Sequence, residues 1–284
     1  MNTLKWLIIY TICALVLSGC ASIQPTAREL SDDGDFKVQI LQYNCESDPV
    51  KAADKTLLIM PPTGGTNYID QSYAKQFCKA GFEVYIIESW TGMLEKNTDL
   101  GVHQRLYTRA QKAMTVTLQQ VKSPFIGLLG TSVGAMHAAV ASNQQPRINA
   151  IFSILGGIPI TNIIITSDQK AMIDLKQLRQ QKLGIKNDDD YQNQLGQAFH
   201  LEPSLSGELF KSKKFGAVVA TQDETVPTKN QNQLVEFWRP ETVITLNNDH
   251  FWGIVKTWMF HSDEVLDFFQ RARQTYVDIS KVRQ

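Results

Sequence analysis

The chain has 284 residues, of which 43% are hydrophobic and 20% charged, the balance of a globular protein with a sizeable core. Its 28 basic residues meet 28 acidic ones, so the formal net charge is zero and nothing in the charge would steer it to nucleic acid. No internal repeat or low-complexity tract interrupts it.

The chain opens on "MNTLKWLIIYTICALVLSGCAS". A single basic residue, Lys5, precedes an apolar run from Trp6 to Leu17 and then small residues. The run is about 12 residues long, where a bilayer-spanning helix needs roughly 20, so residues 1–19 read as a signal peptide. Leu17-Ser18-Gly19-Cys20 resembles the lipobox of bacterial lipoprotein signal peptides. That resemblance implies cleavage before Cys20 and acylation of its thiol and new amino group, palmitate being one such acyl chain. It places the mature protein on the periplasmic side of a bacterial envelope, anchored to membrane by lipid. Ala21, where an Asp would retain a lipoprotein, favours the outer membrane by the sorting rule of Gram-negative families. The alternative is an ordinary secretory signal with an incidental cysteine.

Of the four cysteines, Cys13 lies in the signal and Cys20 would carry lipid. Cys45 and Cys78 remain, in a compartment where disulfides persist. A bridge between them would close a loop of about 34 residues and stabilise by roughly 3 to 4 kcal/mol in the chain-entropy model. Two buried, unpaired thiols are the other arrangement. Residues 20–35 are polar beyond Cys20 and read as a tether, leaving 36–284 as one α/β domain.

Within that domain, "KVQILQY" (37–43) alternates with period two, and "TLLIM" (56–60) is a continuous apolar run suited to a strand buried on both faces. A break at Pro61-Pro62-Thr63-Gly64-Gly65 leads into a helix over 69–81, with Ile69, Tyr73, Phe77 and Ala80 at helical spacing. A strand over 82–89 and a long amphipathic helix over 98–121 follow. Then come a strand at "FIGLLG" (125–130), a helix at "VGAMHAAVASN" (133–143), and strands at 148–156, 214–221 and 241–247. Helices over 228–238 and 252–272 complete the series. The alternation predicts a mainly parallel sheet with helices on both faces.

Residues 157–213 interrupt the rhythm and are too long for an ordinary crossover, so they read as a lid insertion. They hold "IPITNIII", a helix over 167–182 and a polar helical piece after "NDDD". The run Asp188-Asp189-Asp190 lacks the Gly and distal Glu of a calcium loop and reads as a solvated helix start, not a metal site.

Gly130-Thr131-Ser132-Val133-Gly134 spells G-x-S-x-G where a buried strand turns into a helix. This is the setting of a nucleophile elbow, and it resembles the α/β-hydrolase family over nearly all of residues 37–272. The resemblance implies an α/β-hydrolase fold with a helical lid and Ser132 as nucleophile, served by an acid and a His in that chain order. Asp223 lies just past the strand ending at Thr221, and its D-x-x-V-P spacing through Val226 and Pro227 resembles the loop that presents the family's acid. Glu224 is the neighbouring alternative. His250 follows the last strand, although Asp249 stands where the family often has Gly. His103, His137, His200 and His261 read as packing or surface residues.

For the oxyanion, the elbow implies the Val133 N–H. The loop after "TLLIM" occupies the place of the family's H-G-x-G-type loop, so by position its donor is Thr63, with Gly64 as the alternative; Pro61 and Pro62 have no N–H to give. Gly64-Gly65 has no following Lys and so makes a poor phosphate loop. No cofactor is implied.

The expected activity is hydrolysis of carboxylic esters of a small-molecule or lipid acyl substrate. The alternatives are a peptidase or acyltransferase using the same triad, or a non-catalytic envelope protein that binds a ligand. Ile158, Ile160 and Ile163 to Ile165 suit an apolar acyl group and suit ordinary packing equally. For the anchor, Cys20→Ser should release the protein from the membrane fraction of the expressing bacterium, and continued membrane association would point to another attachment.

Overall fold

The structure, a computed structural model, describes residues 23–32, 36–43, 45, 54–88, 98–205 and 207–282. The expected signal peptide and Cys20 lie outside these residues. Eight strands form one sheet: β1 (Thr26–Ser31), β2 (Lys37–Tyr43), β3 (Lys55–Met60), β4 (Glu83–Ile87), β5 (Phe125–Thr131), β6 (Ala150–Ile154), β7 (Lys214–Ala220) and β8 (Thr242–Leu246). Their spatial order is β1-β2-β4-β3-β5-β6-β7-β8. The β1–β2 and β2–β4 pairs are antiparallel, and every pair from β4 to β8 is parallel.

The continuous apolar runs occupy the centre, as strands covered on both faces must. Along β3 the side chains alternate between two cores: Leu58 and Met60 join one, Leu57 and Ile59 the other. On the first face pack α2 (Val102–Gln120), α3 (Val133–Gln144) and α7 (Thr228–Trp238), through Ala110, Met114, Ala138, Leu234 and Trp238. On the second lie α1 (Tyr68–Lys79) and α8 (His250–Val282), whose Phe77, Phe268 and Phe269 meet edge to face. The expected fold class holds: a mostly parallel sheet with helices on both faces.

One boundary is corrected. Residues 26–31 were expected within the tether, but they form β1, paired with β2 from Thr26 opposite Gln42 to Ser31 opposite Lys37. Only Leu30 of this strand is buried. An exposed edge strand held by its backbone ladder leaves almost no apolar signature, which is why composition reads it as linker.

The insertion between β6 and β7 contains α4 (Ile160–Thr166), α5 (Lys170–Leu183) and α6 (Asp188–Ala198). Ile160, Ile163, Ile164 and Ile165 are buried with Tyr107 and Val140 of the body and Tyr191, Leu195 and Phe199 of the insertion. Ile158 joins the core beneath α7. These isoleucines therefore serve packing. Glu202 accepts the Ile160 and Thr161 amide hydrogens at 2.9 and 2.8 Å and so satisfies the start of α4. Arg179 is fully buried between Tyr191 Oη at 2.7 Å and His103 Nε2 at 2.8 Å, which ties α5 to α2. Burial, then the Arg179 charge, pushes His103 down to about 3, so its ring is a neutral acceptor. Asp188, Asp189 and Asp190 fill the first turn of α6, where Asn187 accepts from the Asp190 amide at 2.8 Å.

Cys45 and Cys78 are bonded, joining the chain just after β2 to the last turn of α1 with a Cα–Cα distance of 4.9 Å. For a bridge of sequence separation 33, the double variant Cys45→Ser/Cys78→Ser should lose about 3 to 4 kcal/mol of stability. Thermal unfolding under non-reducing conditions checks this, and an unchanged melting temperature would count against the bond.

Candidate active site

The elbow is built by close packing. A Cβ on Gly130 would stand 2.5 Å from the Gly134 carbonyl oxygen, and one on Gly134 only 2.0 Å from that of Met60. Two glycines thus let α3 start against the ends of β3 and β5. Ser132 sits between them at φ 56° and ψ −119°, a region a non-glycine residue occupies only under constraint. Its amide is fixed by donating to the Ile154 carbonyl at 2.8 Å. Although Ser132 holds the N-cap position of α3, its hydroxyl caps nothing there. Instead Oγ lies 2.9 Å from His250 Nε2.

His250 is the first residue of α8, not a loop residue ahead of it. Asp249 explains the change. Its Oδ1 accepts from the Trp252 amide at 2.8 Å, the work of an N-cap, so Asp here starts the helix where the family often has Gly. The other ring nitrogen, Nδ1, lies 2.7 Å from Asp223 Oδ2. An ionised carboxylate only accepts, so Nδ1 carries the hydrogen and Nε2 is left to accept from Ser132. Ser132 and Asp223 are 5% and 3% exposed, so solvent reaches the three chiefly through the imidazole, whose side chain is 14% exposed.

Asp223 lies in a turn past β7. Its Oδ1 accepts the Thr225 and Val226 amide hydrogens at 2.9 and 3.0 Å, and Oδ2 accepts from Gln231 Nε2 at 2.7 Å as well as from His250. Glu224 is exposed, and its backbone carbonyl takes a hydrogen bond from the Asp168 amide in the insertion. Geometry therefore distinguishes the two carboxylates and brings Asp223 to the histidine.

The loop after β3 turns at Pro62, whose carbonyl accepts from the Gly65 amide at 3.1 Å, with Gly64 at φ 100° and Gly65 at φ 86°. Thr63 and Gly64 are exposed in this turn. The Met60 and Pro61 carbonyls abut the α3 start at Gly134, so this loop and the elbow are neighbours, with Val133 opening α3. Directly beyond the loop, Asn67 and Asp70 form a reciprocal capping box on α1. Burial raises the Asp70 carboxyl to about 7, against the opposing effect of the Asn67 amide.

The remaining histidines lie elsewhere. His137 is buried in α3 beside the Tyr107 ring at 4.2 Å, and burial lowers it to about 3. His261 pairs with Glu264 at 2.6 Å on α8, and His200 is exposed. Gln231 escaped the sequence reading. One signal was present: it shares the inward face of α7 with Leu234 and Trp238, and a polar side chain on such a face needs a buried partner.

No protein-family model and no curated protein matches the sequence. Solved structures do match it. The chain resembles an acylaminoacyl peptidase of Pyrococcus horikoshii at 13% identity and a TM-score of 0.64, over 91% of this chain and 43% of that one. It resembles an esterase of Pyrococcus furiosus at 15% identity and a TM-score of 0.58, over 88% and 93% of the two chains. A puromycin-hydrolyzing peptidase of Mycobacterium tuberculosis aligns at 13% identity and a TM-score of 0.66, over 90% of this chain and 41% of that one. The chain thus spans less than half the length of the two peptidases. It has the α/β-hydrolase fold.

Gly134→Ala should destabilise the protein by about 3 kcal/mol or more, because its new methyl meets backbone that no side-chain rotation relieves. Gly196→Ala is the control: it lies within α6 with nothing inside 4 Å, and should raise stability by up to about 1 kcal/mol. Equal melting temperatures for the two variants would contradict the close approach at Gly134.

Proposed function

We propose that the chain is a lipid-anchored cell-envelope serine hydrolase that cleaves carboxylic esters. One observation carries the hydrolase reading: His250 joins Ser132 Oγ at 2.9 Å to Asp223 Oδ2 at 2.7 Å, with the tautomer that leaves Nε2 free to accept a proton. As Oγ attacks the acyl carbon, its proton passes to Nε2. Asp223 holds the ring and stabilises the imidazolium. The oxyanion is received by the Val133 amide at the start of α3 and by the Thr63 amide, with Gly64 as the alternative donor. One such donor is typically worth about 2.7 to 4 kcal/mol of barrier. His250 then protonates the leaving group, and the same base activates the water that hydrolyses the acyl-enzyme.

The anchor rests on the lipobox-like Leu17-Ser18-Gly19-Cys20, and the ester preference on the likeness to an esterase whose whole length this chain nearly matches. A peptidase is the second reading, because two similar structures are described as peptidases. Acyl transfer would use the same acyl-enzyme with another acceptor in place of water.

A fluorophosphonate probe should label the parent protein and fail to label Ser132→Ala. Undiminished labelling of the variant would place the nucleophile elsewhere, and an inert folded parent would favour a ligand-binding protein. Hydrolysis of p-nitrophenyl esters of graded chain length, compared with aminoacyl amides, then separates esterase from peptidase.

A further inference from the structure

The Asp223 carboxylate accepts four hydrogen bonds, two on each oxygen. Three donors come from the acid's own turn and from His250. The fourth is Gln231, on a different element and 1% exposed. Its amide makes three bonds: Nε2 donates to Asp223 Oδ2 at 2.7 Å and to the Val226 carbonyl at 2.7 Å, and Oε1 accepts from the Ala220 amide at 2.9 Å. The Ala220 N–H can only donate and the Val226 carbonyl can only accept, so the amide sits one way round and its N–H must face the acid. One side chain thus clamps both ends of the turn at 220–226 and the carboxylate within it.

We infer that Gln231 is a positioning residue for the triad, which holds Asp223 Oδ2 on His250 Nδ1; this rests on the serine hydrolase reading above. Without Gln231, Oδ2 keeps His250 as its one remaining partner while Oδ1 keeps two backbone donors. The carboxylate is then held only by its own turn and by the histidine it must orient, so it turns more easily about its bond to Cβ and fixes the imidazole less firmly. A buried amide on α7 would serve packing better as a Leu, and the three aligned bonds are what the amide adds.

The test uses the full chain, a fluorophosphonate probe and p-nitrophenyl butyrate. Gln231→Leu should lower kcat and the labelling rate on the order of 100-fold, with KM little changed, since geometry at the reacting atoms is what is lost. Gln231→Glu supplies the sharper readout. Its protonated carboxyl can accept from Ala220 and donate to Oδ2, whereas its ionised form sets a second negative charge against Asp223. Its rate relative to the parent should therefore be highest near about pH 5.5 and fall by at least about tenfold towards pH 9. A relative rate independent of pH would reduce Gln231 to a packing residue and overturn the inference, also if Gln231→Leu fails to fold. Parent-like labelling of a folded Gln231→Leu would overturn it too, while leaving the hydrolase reading intact. A parent that neither labels nor hydrolyses would instead overturn that reading, and this one with it.

Discussion

Ser132 holds a backbone conformation that costs about 1 to 3 kcal/mol, and most of the site follows from how the fold enforces it. The enforcement is steric. Gly130 and Gly134 let the first turn of α3 lie against the carbonyls of Met60 and Pro61, and the Ser132 amide is pinned to Ile154 on the neighbouring strand. Ser132 has its amide bonded on one side and a helix starting on the other, and its hydroxyl caps neither. The hydroxyl points instead to His250. The same approach sets the loop after β3 beside the start of α3, which is where two backbone donors must converge if an oxyanion is to be held.

The other half of the site depends on the opposite device, a turn saturated with hydrogen bonds. The turn after β7 has no glycine and no residue at positive φ among 220–226. Its shape comes from Asp223 accepting its own following amides and from Gln231 bridging Ala220 and Val226. In a buried site such a network is favourable only when every member is satisfied, and each oxygen of Asp223 has two donors. Ser132 is thus placed by exclusion of side chains, Asp223 by accumulation of polar ones.

This contrast explains what could be read in the sequence. The elbow announces itself because glycines at fixed spacing after an apolar run have few other uses, and the parallel strands because β3, β5 and β6 are dominated by apolar residues with no polar alternation. That Asp223 and His250 meet was legible from their places after β7 and β8. Gln231 was legible only as a polar residue on the inward face of α7, since that pattern asks for a buried partner without naming the carboxylate eight positions back. β1 stayed hidden because only Leu30 of its residues is buried. Ile158, Ile160 and Ile163 to Ile165 were ambiguous for a further reason: an apolar side chain looks the same to a core as to a ligand. Packing of Ile160 and Ile163 to Ile165 against Tyr107 and Val140 of the body, and of Ile158 into the core beneath α7, decides that they hold the insertion down.

That attachment bears on the acid. Asp168, between α4 and α5, donates its amide to the Glu224 carbonyl at 3.2 Å and accepts from Thr225 Oγ1 at 2.7 Å. Thr225 in turn gives its amide to Asp223 Oδ1. The insertion therefore rests on the turn that carries the acid, through two bonds made by a single residue. Displacing the α4–α5 junction would break both and loosen the turn from outside. Gln231 grips the same turn from inside, through Ala220 at the end of β7 and Val226 beyond it. The acid's alignment thus depends on two independent supports, one a surface pair open to water and the other a buried amide. Water can replace the partners of the first, as it cannot for the second, so the buried amide carries the larger share of the constraint.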